Sequence, residues 1–246
     1  MSHAQHPDHS QPQPPASRPR RSDAGKIRLQ SRDVAGLVLT AEMYAAPADL
    51  LAQRLKVTPA RLRDIAARWR GAGLADTGRL AAGPQWCWLT AAGMTLAGFE
   101  WTAGRPALSR LAHIRAVLAA RMWMETDDAW QAHRAWWRCE RRIWARRPPT
   151  GSGHVPDAEI VWPSLPASPS AGQTWAVEVE LTPKPAGRTS AILAGLLDTP
   201  YEMAVYLCAP PALPVVRAAA GRLPAADRAR ILIRDLPPGA LMDLPS

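Results

Sequence analysis

The stretch from Thr58 to Gly71, TPARLRDIAARWRG, constrains this chain more than any other. Thr58 suits a helix N-cap and Pro59 the first helical position, so a helix must start here. Leu62, Ile65, Ala66 and Trp69 recur at i, i+3, i+4 and i+7 and make one apolar stripe. The opposite side then carries Thr58, Arg61, Arg63, Asp64, Arg68 and Arg70. Gly71-Ala72-Gly73 ends the helix. A helix this one-sided must lie on a scaffold and turn a basic face outward.

The flanking sequence supplies that scaffold. Val34, Leu37, Val38 and Ala41 mark a helix opening near Asp33, and Leu50, Leu51 and Leu55 mark a second over Pro47 to Leu55. After the basic helix, Leu74–Thr77 and Trp86–Leu89 read as short strands around a Gly-containing turn. Thr90 then caps a helix over Ala91–Ala97 that closes at Gly98. Three helices, a hairpin and a helix in this order make a winged helix-turn-helix over residues 32–100, with 99–105 as linker. In such a motif the second helix of the pair enters the major groove by its N-terminal residues. Arg61 is the candidate for a guanine contact. Arg63, Arg68 and Arg70 are candidates for phosphate, joined by Lys56 and Thr58 in the turn and Arg79 in the wing. The expected partner is double-stranded DNA. A net charge of +9 and a pI near 10.4 agree with a polyanionic partner. The other reading of these arginines is a solvated face on a fold that serves protein contacts.

Residues 1–31 are rich in Pro, Gln, Ser, His and Arg and form an expected disordered basic tail. His3, His6 and His9 there read as solvated. Arg18, Arg20, Arg21, Lys26 and Arg28 could add unspecific phosphate contacts. Cys87, Cys139 and Cys208 are too scattered for a disulfide framework or a zinc site, which fits a reducing cytoplasm. The chain lacks an apolar run of membrane-spanning length and a signal-peptide pattern, so no membrane association is expected.

Residues 106–246 alternate between helical and strand patterns. Leu108, Leu111, Ile114, Leu118 and Met122 make the seam of a helix over Pro106–Met124. Strands follow at Ala135–Cys139, Val155–Trp162 and Trp175–Leu181, with a short basic helix from Glu140 and a loop over 163–173. A helix over Thr189–Leu197, a strand at Met203–Leu207, a helix near Val215–Arg222 and a strand at Arg230–Ile233 complete an αβββαβαβ order. The fold class is therefore α/β and multi-domain, with a mixed sheet flanked by helices.

The chemistry concentrates in His154-Val155-Pro156-Asp157 and in Trp175-Ala-Val-Glu178-Val-Glu180-Leu-Thr-Pro-Lys184. Period-two alternation points Glu178 and Glu180 to one face and Val177, Val179 and Leu181 to the other. If the strand carrying Asp157 pairs alongside, three carboxylates converge. Buried carboxylates need a partner or a cation, and hard oxygen ligands suit Mg²⁺. Asp157 and Glu178 are the expected metal ligands. His113 reads as a helix-packing residue, and His154 as a loop residue or as a group that supports the carboxylates without itself being a ligand. Trp136 and Trp137 adjoin arginines; core packing and base stacking are both open to them.

This pattern resembles the PD-(D/E)xK nuclease superfamily, with Pro156-Asp157 as its first part and Glu178-Val179-Glu180 as its second. Glu stands where Lys is usual, as in the ExE variants of that superfamily. The resemblance implies an αβββαβ core and a Mg²⁺-dependent endonuclease site of Asp157, Glu178, Glu180 and Lys184. Arg188 is a further source of positive charge and Glu140 a further carboxylate. The whole arrangement, from the winged helix through Leu111-Ala-His113-Ile-Arg and Cys139-Glu140-Arg141-Arg142 to HVPDA and VEVELTPK, resembles the replication-relaxation family of plasmids and integrative conjugative elements. That resemblance spans about residues 32–235. It implies a role in replication, mobilisation or their regulation, with a relaxase, a replication initiator or a second copy of the chain as protein partner. A non-enzymatic regulator whose nuclease-like half is a scaffold is the alternative.

Overall fold

A computed structural model describes residues 28–146, 154–164, 168 and 170–241. Most of the expected N-terminal tail lies outside the described residues. The first half contains α1 (Ser31–Glu42), β1 (Ala46–Pro47), α2 (Ala48–Arg54), α3 (Pro59–Gly71), β2 (Ala75–Gly78), β3 (Trp86–Leu89) and α4 (Ala91–Leu96). The strands pair antiparallel in the order β1-β3-β2. The Thr58 hydroxyl accepts from the Arg61 amide at 3.2 Å, so the cap read from sequence starts α3. Leu62, Ile65 and Trp69 bury the inner stripe. Trp69 packs so tightly on α1 that a Cβ at Gly36 would lie 2.6 Å from its ring.

The second half contains α5 (Leu111–Met124), entered through a 3-10 turn at Leu108–Arg110, then α6 (Asp128–Ala132), β4 (Trp136–Cys139), α7 (Glu140–Trp144), β5 (Ala158–Val161) and β6 (Thr174–Glu180). It ends with α8 (Ala186–Leu197), β7 (Met203–Cys208), α9 (Leu213–Gly221), α10 (Ala225–Arg228) and β8 (Ile231–Asp235). Its sheet runs β4-β5-β6-β7-β8. The first three strands are antiparallel and the last two run parallel to β6. The chain is thus a mixed α/β protein. The β6 residues Val177 and Val179, with Val205 and Leu207 of β7, share a core with α5. On the other face Ala176, Ala204 and Tyr206 pack with Leu193 of α8 and Val216 of α9. A central strand covered on both sides explains why β6 is buried on both faces rather than one.

The two halves do not behave as beads on a spacer. One core runs from Leu37 through Trp69 and Val117 to Leu207. Glu42 on α1 accepts from Arg121 of α5 at 2.7 Å and from Arg142 of α7 at 2.8 Å. Residues 99–105 were expected to be a linker, but Phe99 and Trp101 stack with centroids 4.2 Å apart, and Arg142 lies over the Phe99 ring at 4.8 Å. No helix among the described residues is long and apolar enough to cross a membrane.

Candidate functional site

Asp157 stands one residue before β5, whose register sets Ala158 opposite Val177. Its Oδ2 accepts from the Val179 amide at 2.8 Å, and its Oδ1 lies 2.7 Å from His113 Nε2 on α5. Glu178, in the middle of β6, is only 3% exposed, and its Oε1 lies 2.6 Å from His154 Nε2. Glu180, two residues on, is buried and pairs with the Lys184 ammonium.

The electrostatics follow from that geometry. Burial pushes the Glu178 carboxyl up to about 7, and the charge of Asp157 adds to this, while the His154 hydrogen bond and Lys184 oppose it. The Glu178 hydrogen bond raises the pKa of His154 against the cost of burial. Burial works against protonated His113 too, but Asp157 outweighs it and the net shift is upward. Burial, helped by Arg188, lowers Lys184. Tyr206, opposite Glu178 across β6 and β7, is pushed upward by burial and by Glu178. Its hydroxyl is buried with no hydrogen-bond partner among the described residues.

The carboxylates expected to converge are therefore close in register but separately engaged. Among the described residues, no group of three or more His, Cys, Asp or Glu is arranged as a metal-ligand set. Asp157 and Glu178 still feel each other's charge. Two carboxylates completed by water are a donor set that suits Mg²⁺, which keeps much of its hydration. These two residues could hold it. Glu140 does not join them, because its Oε2 accepts from Arg110 at 2.9 Å and from the Tyr44 hydroxyl at 3.0 Å. Arg188 is exposed in the first turn of α8. His113, read from sequence as a helix-packing residue, is a partner of Asp157, whereas His154 takes up the supporting place beside Glu178 that its sequence left open. The usable signal for His154 was its place three residues ahead of Asp157 in HVPD, whereas His113 is brought in from 44 residues away.

On the first half, Lys56, Thr58, Arg61, Arg63, Arg70 and Arg79 are exposed as expected. Arg61 lies 3.8 Å from Asp64. Arg68 departs from expectation: it donates at 3.1 Å to Asp33, whose side chain is fully buried, and so ties α3 to the start of α1. A groove of about 390 Å³ runs between α3 and the β2–β3 hairpin, with Arg63 on one wall and Arg79 on the other. Of the two tryptophans left open by sequence, Trp137 is core, and Trp136 is exposed under Arg138 at 4.7 Å.

No protein-family model and no curated protein matches the chain. Among solved structures, one described as PigF with SAH aligns over 82% of this chain and 62% of its own length. The identity is 10% and the TM-score 0.18, a likeness too slight to bear on fold or activity.

Proposed function

We propose that this protein is a DNA-binding protein of a mobile genetic element, with a PD-(D/E)xK-like second half that addresses the phosphodiester backbone with Mg²⁺. Support for a winged helix-turn-helix comes from the α1-β1-α2-α3-β2-β3-α4 order, the β1-β3-β2 sheet and the groove between Arg63 and Arg79. α3 is then the helix offered to the major groove, with Arg61, Arg63 and Arg70 along it, Lys56 and Thr58 in the turn ahead of it and Arg79 in the wing. Support for the nuclease-like core comes from α5, β4, β5, β6, α8 and β7, an αβββαβ order once the five-residue helices α6 and α7 are set aside, with β6 and β7 parallel. The resemblance to replication-relaxation proteins adds the setting: replication or mobilisation of a plasmid or conjugative element.

One observation carries the reading. Asp157 bonds to the Val179 amide, the peptide between Glu178 and Glu180, so the two sequence-distant parts of the motif meet on adjacent strands. Asp157 and Glu178 would hold Mg²⁺, which lowers the pKa of a bound water and offsets charge building on a phosphate. Glu180 fixes Lys184 beside the site, and His154 shares a proton with Glu178 at Oε1. Cleavage of supercoiled plasmid with Mg²⁺ or Mn²⁺ tests this. Nicking or linearisation by wild type, absent from Asp157→Asn/Glu178→Gln, is the expected result.

A second reading has its own observation. Each carboxylate has a histidine or lysine partner, a closed arrangement that suits a scaffold in a non-enzymatic regulator or replication accessory. Intact plasmid with both proteins, both still shifting duplex DNA, establishes that reading and removes the nuclease.

A further inference from the structure

We infer that the cleft between the 100–107 segment and α7 is a binding site for single-stranded DNA. The inference rests on the reading of the second half as a unit that addresses DNA. The cleft encloses about 730 Å³, and its walls include Trp101, Arg105, Arg110, Arg141 and Trp144, so that three arginines stand against the single carboxylate of Glu100 among the lining residues. Such a mixture is what an unpaired strand needs: cations for its phosphates and flat rings for its bases. Trp144 is 52% exposed, although α7 could have turned a polar residue outward there.

Arg141 supplies an independent observation. It is 92% buried by its 8% exposure, yet no carboxylate lies within ion-pair distance among the described residues. Instead its guanidinium donates to the carbonyls of Ala41, at 2.8 Å, and Thr102, and lies 4.6 Å from the Tyr44 ring centroid and 4.8 Å from that of Trp101. Among the described residues its direct partners are dipoles and ring faces, with Glu140 acting on it at longer range, so part of its positive charge remains at the base of the cleft. Arg110 adds to it from 4.4 Å over the other side of Tyr44, though Glu140 takes part of its charge. Arg105 is exposed and has no ion-pair partner among the described residues.

A recess of only about 20 Å³ shares Tyr44, Arg110 and Ile114 with the cleft and is lined by Glu140, His113 and Asp157, so the cleft borders the Asp157 site without opening into it. The groove beside α3 uses none of these residues, so duplex and single strand occupy different surfaces.

Fluorescence anisotropy with labelled oligo(dT) and with a labelled duplex separates them. Arg105→Ala and Trp144→Ala, both exposed and so compatible with folding, should weaken oligo(dT) binding by about tenfold each and leave duplex binding within about twofold. Arg63→Ala/Arg79→Ala should do the reverse, and an unaltered melting temperature checks each fold. Competition by dTMP as strong per phosphate as by oligo(dT) would reassign the cleft to a free nucleotide and overturn the strand proposal. Unchanged oligo(dT) affinity in both cleft variants would also overturn it. Loss of duplex binding alone in the groove variants leaves the cleft untouched, and absence of duplex binding by wild type would count against the winged-helix reading instead.

Discussion

Arg115 on α5 grips Asp49 on α2 with both prongs of its guanidinium, 2.9 and 2.7 Å from the two carboxylate oxygens. The arginine is buried and its remaining bond is to the Leu241 carbonyl at 3.3 Å. Asp49→Ala leaves that cation with one partner. Asp49 is nearly half exposed, so water replaces part of what is lost, and the cost should be about 2 kcal/mol. Urea denaturation reads it. A stability equal to wild type would mean the pair does not fasten the halves together.

Glu42 sets up a sharper contrast. It is buried and bridges Arg121, also buried, and Arg142, whose side chain is 40% exposed. Glu42→Ala leaves Arg121 with Glu125 as its one ion-pair partner among the described residues and should cost about 3–5 kcal/mol, as when half of a buried pair is removed. Arg142→Ala should cost less than about 1 kcal/mol, because water screens that arm. Equal losses in the two variants would show that Glu42 is stabilised by something other than Arg121.

Gly93 lies where α4 touches the start of the hairpin. A Cβ there would stand 1.9 Å from the Leu74 carbonyl oxygen, which already accepts from the Thr90 amide. Neither backbone segment can move without breaking that bond. Gly93→Ala should destabilise by about 3 kcal/mol through overpacking, visible as a lower denaturation midpoint. Neutral behaviour would mean that α4 is free to slide away from the hairpin.

What could be read from sequence was local. The Thr58 cap and the Leu62-Ile65-Trp69 stripe specify α3 within one turn of themselves, and alternation from Trp175 to Glu180 specifies β6. β1 escaped because its two residues, Ala46 and Pro47, become strand only by pairing with Cys87 and Trp86. α6 escaped because five residues around Trp130 give no period; its start depends on Asp127 accepting from the Ala129 and Trp130 amides. At the site, the facing of Glu178 and Glu180 followed from strand geometry. The partners of Asp157 and Glu140 did not, since His113 and Arg110 arrive from α5 and its entry turn. Arg68 looked like a phosphate contact because the sequence does not reveal that Asp33 is buried beside it.

Glu178 gives the last prediction, in metal-free buffer. Its folded pKa of about 7 lies above the ordinary 4.5, so the fold binds its proton more tightly than the unfolded chain does. That contribution is complete below about 4.5 and is lost as pH rises towards 7. His154 is hydrogen-bonded to Glu178 and titrates with it as one pair, and its own shift is also upward, so the proton held by the pair contributes in the same direction. Wild type in EDTA should therefore lose melting temperature between pH 5 and pH 8, and Glu178→Gln should lose less because its side chain stays neutral. At pH 8 the variant should be the more stable protein. Adding Mg²⁺ should then raise the melting temperature of wild type and leave the variant unmoved, since a ligand that binds the folded state stabilises only where its site exists. A site kept for structure alone would give the opposite order at pH 8, with Glu178→Gln less stable because it weakens the hydrogen bond to His154.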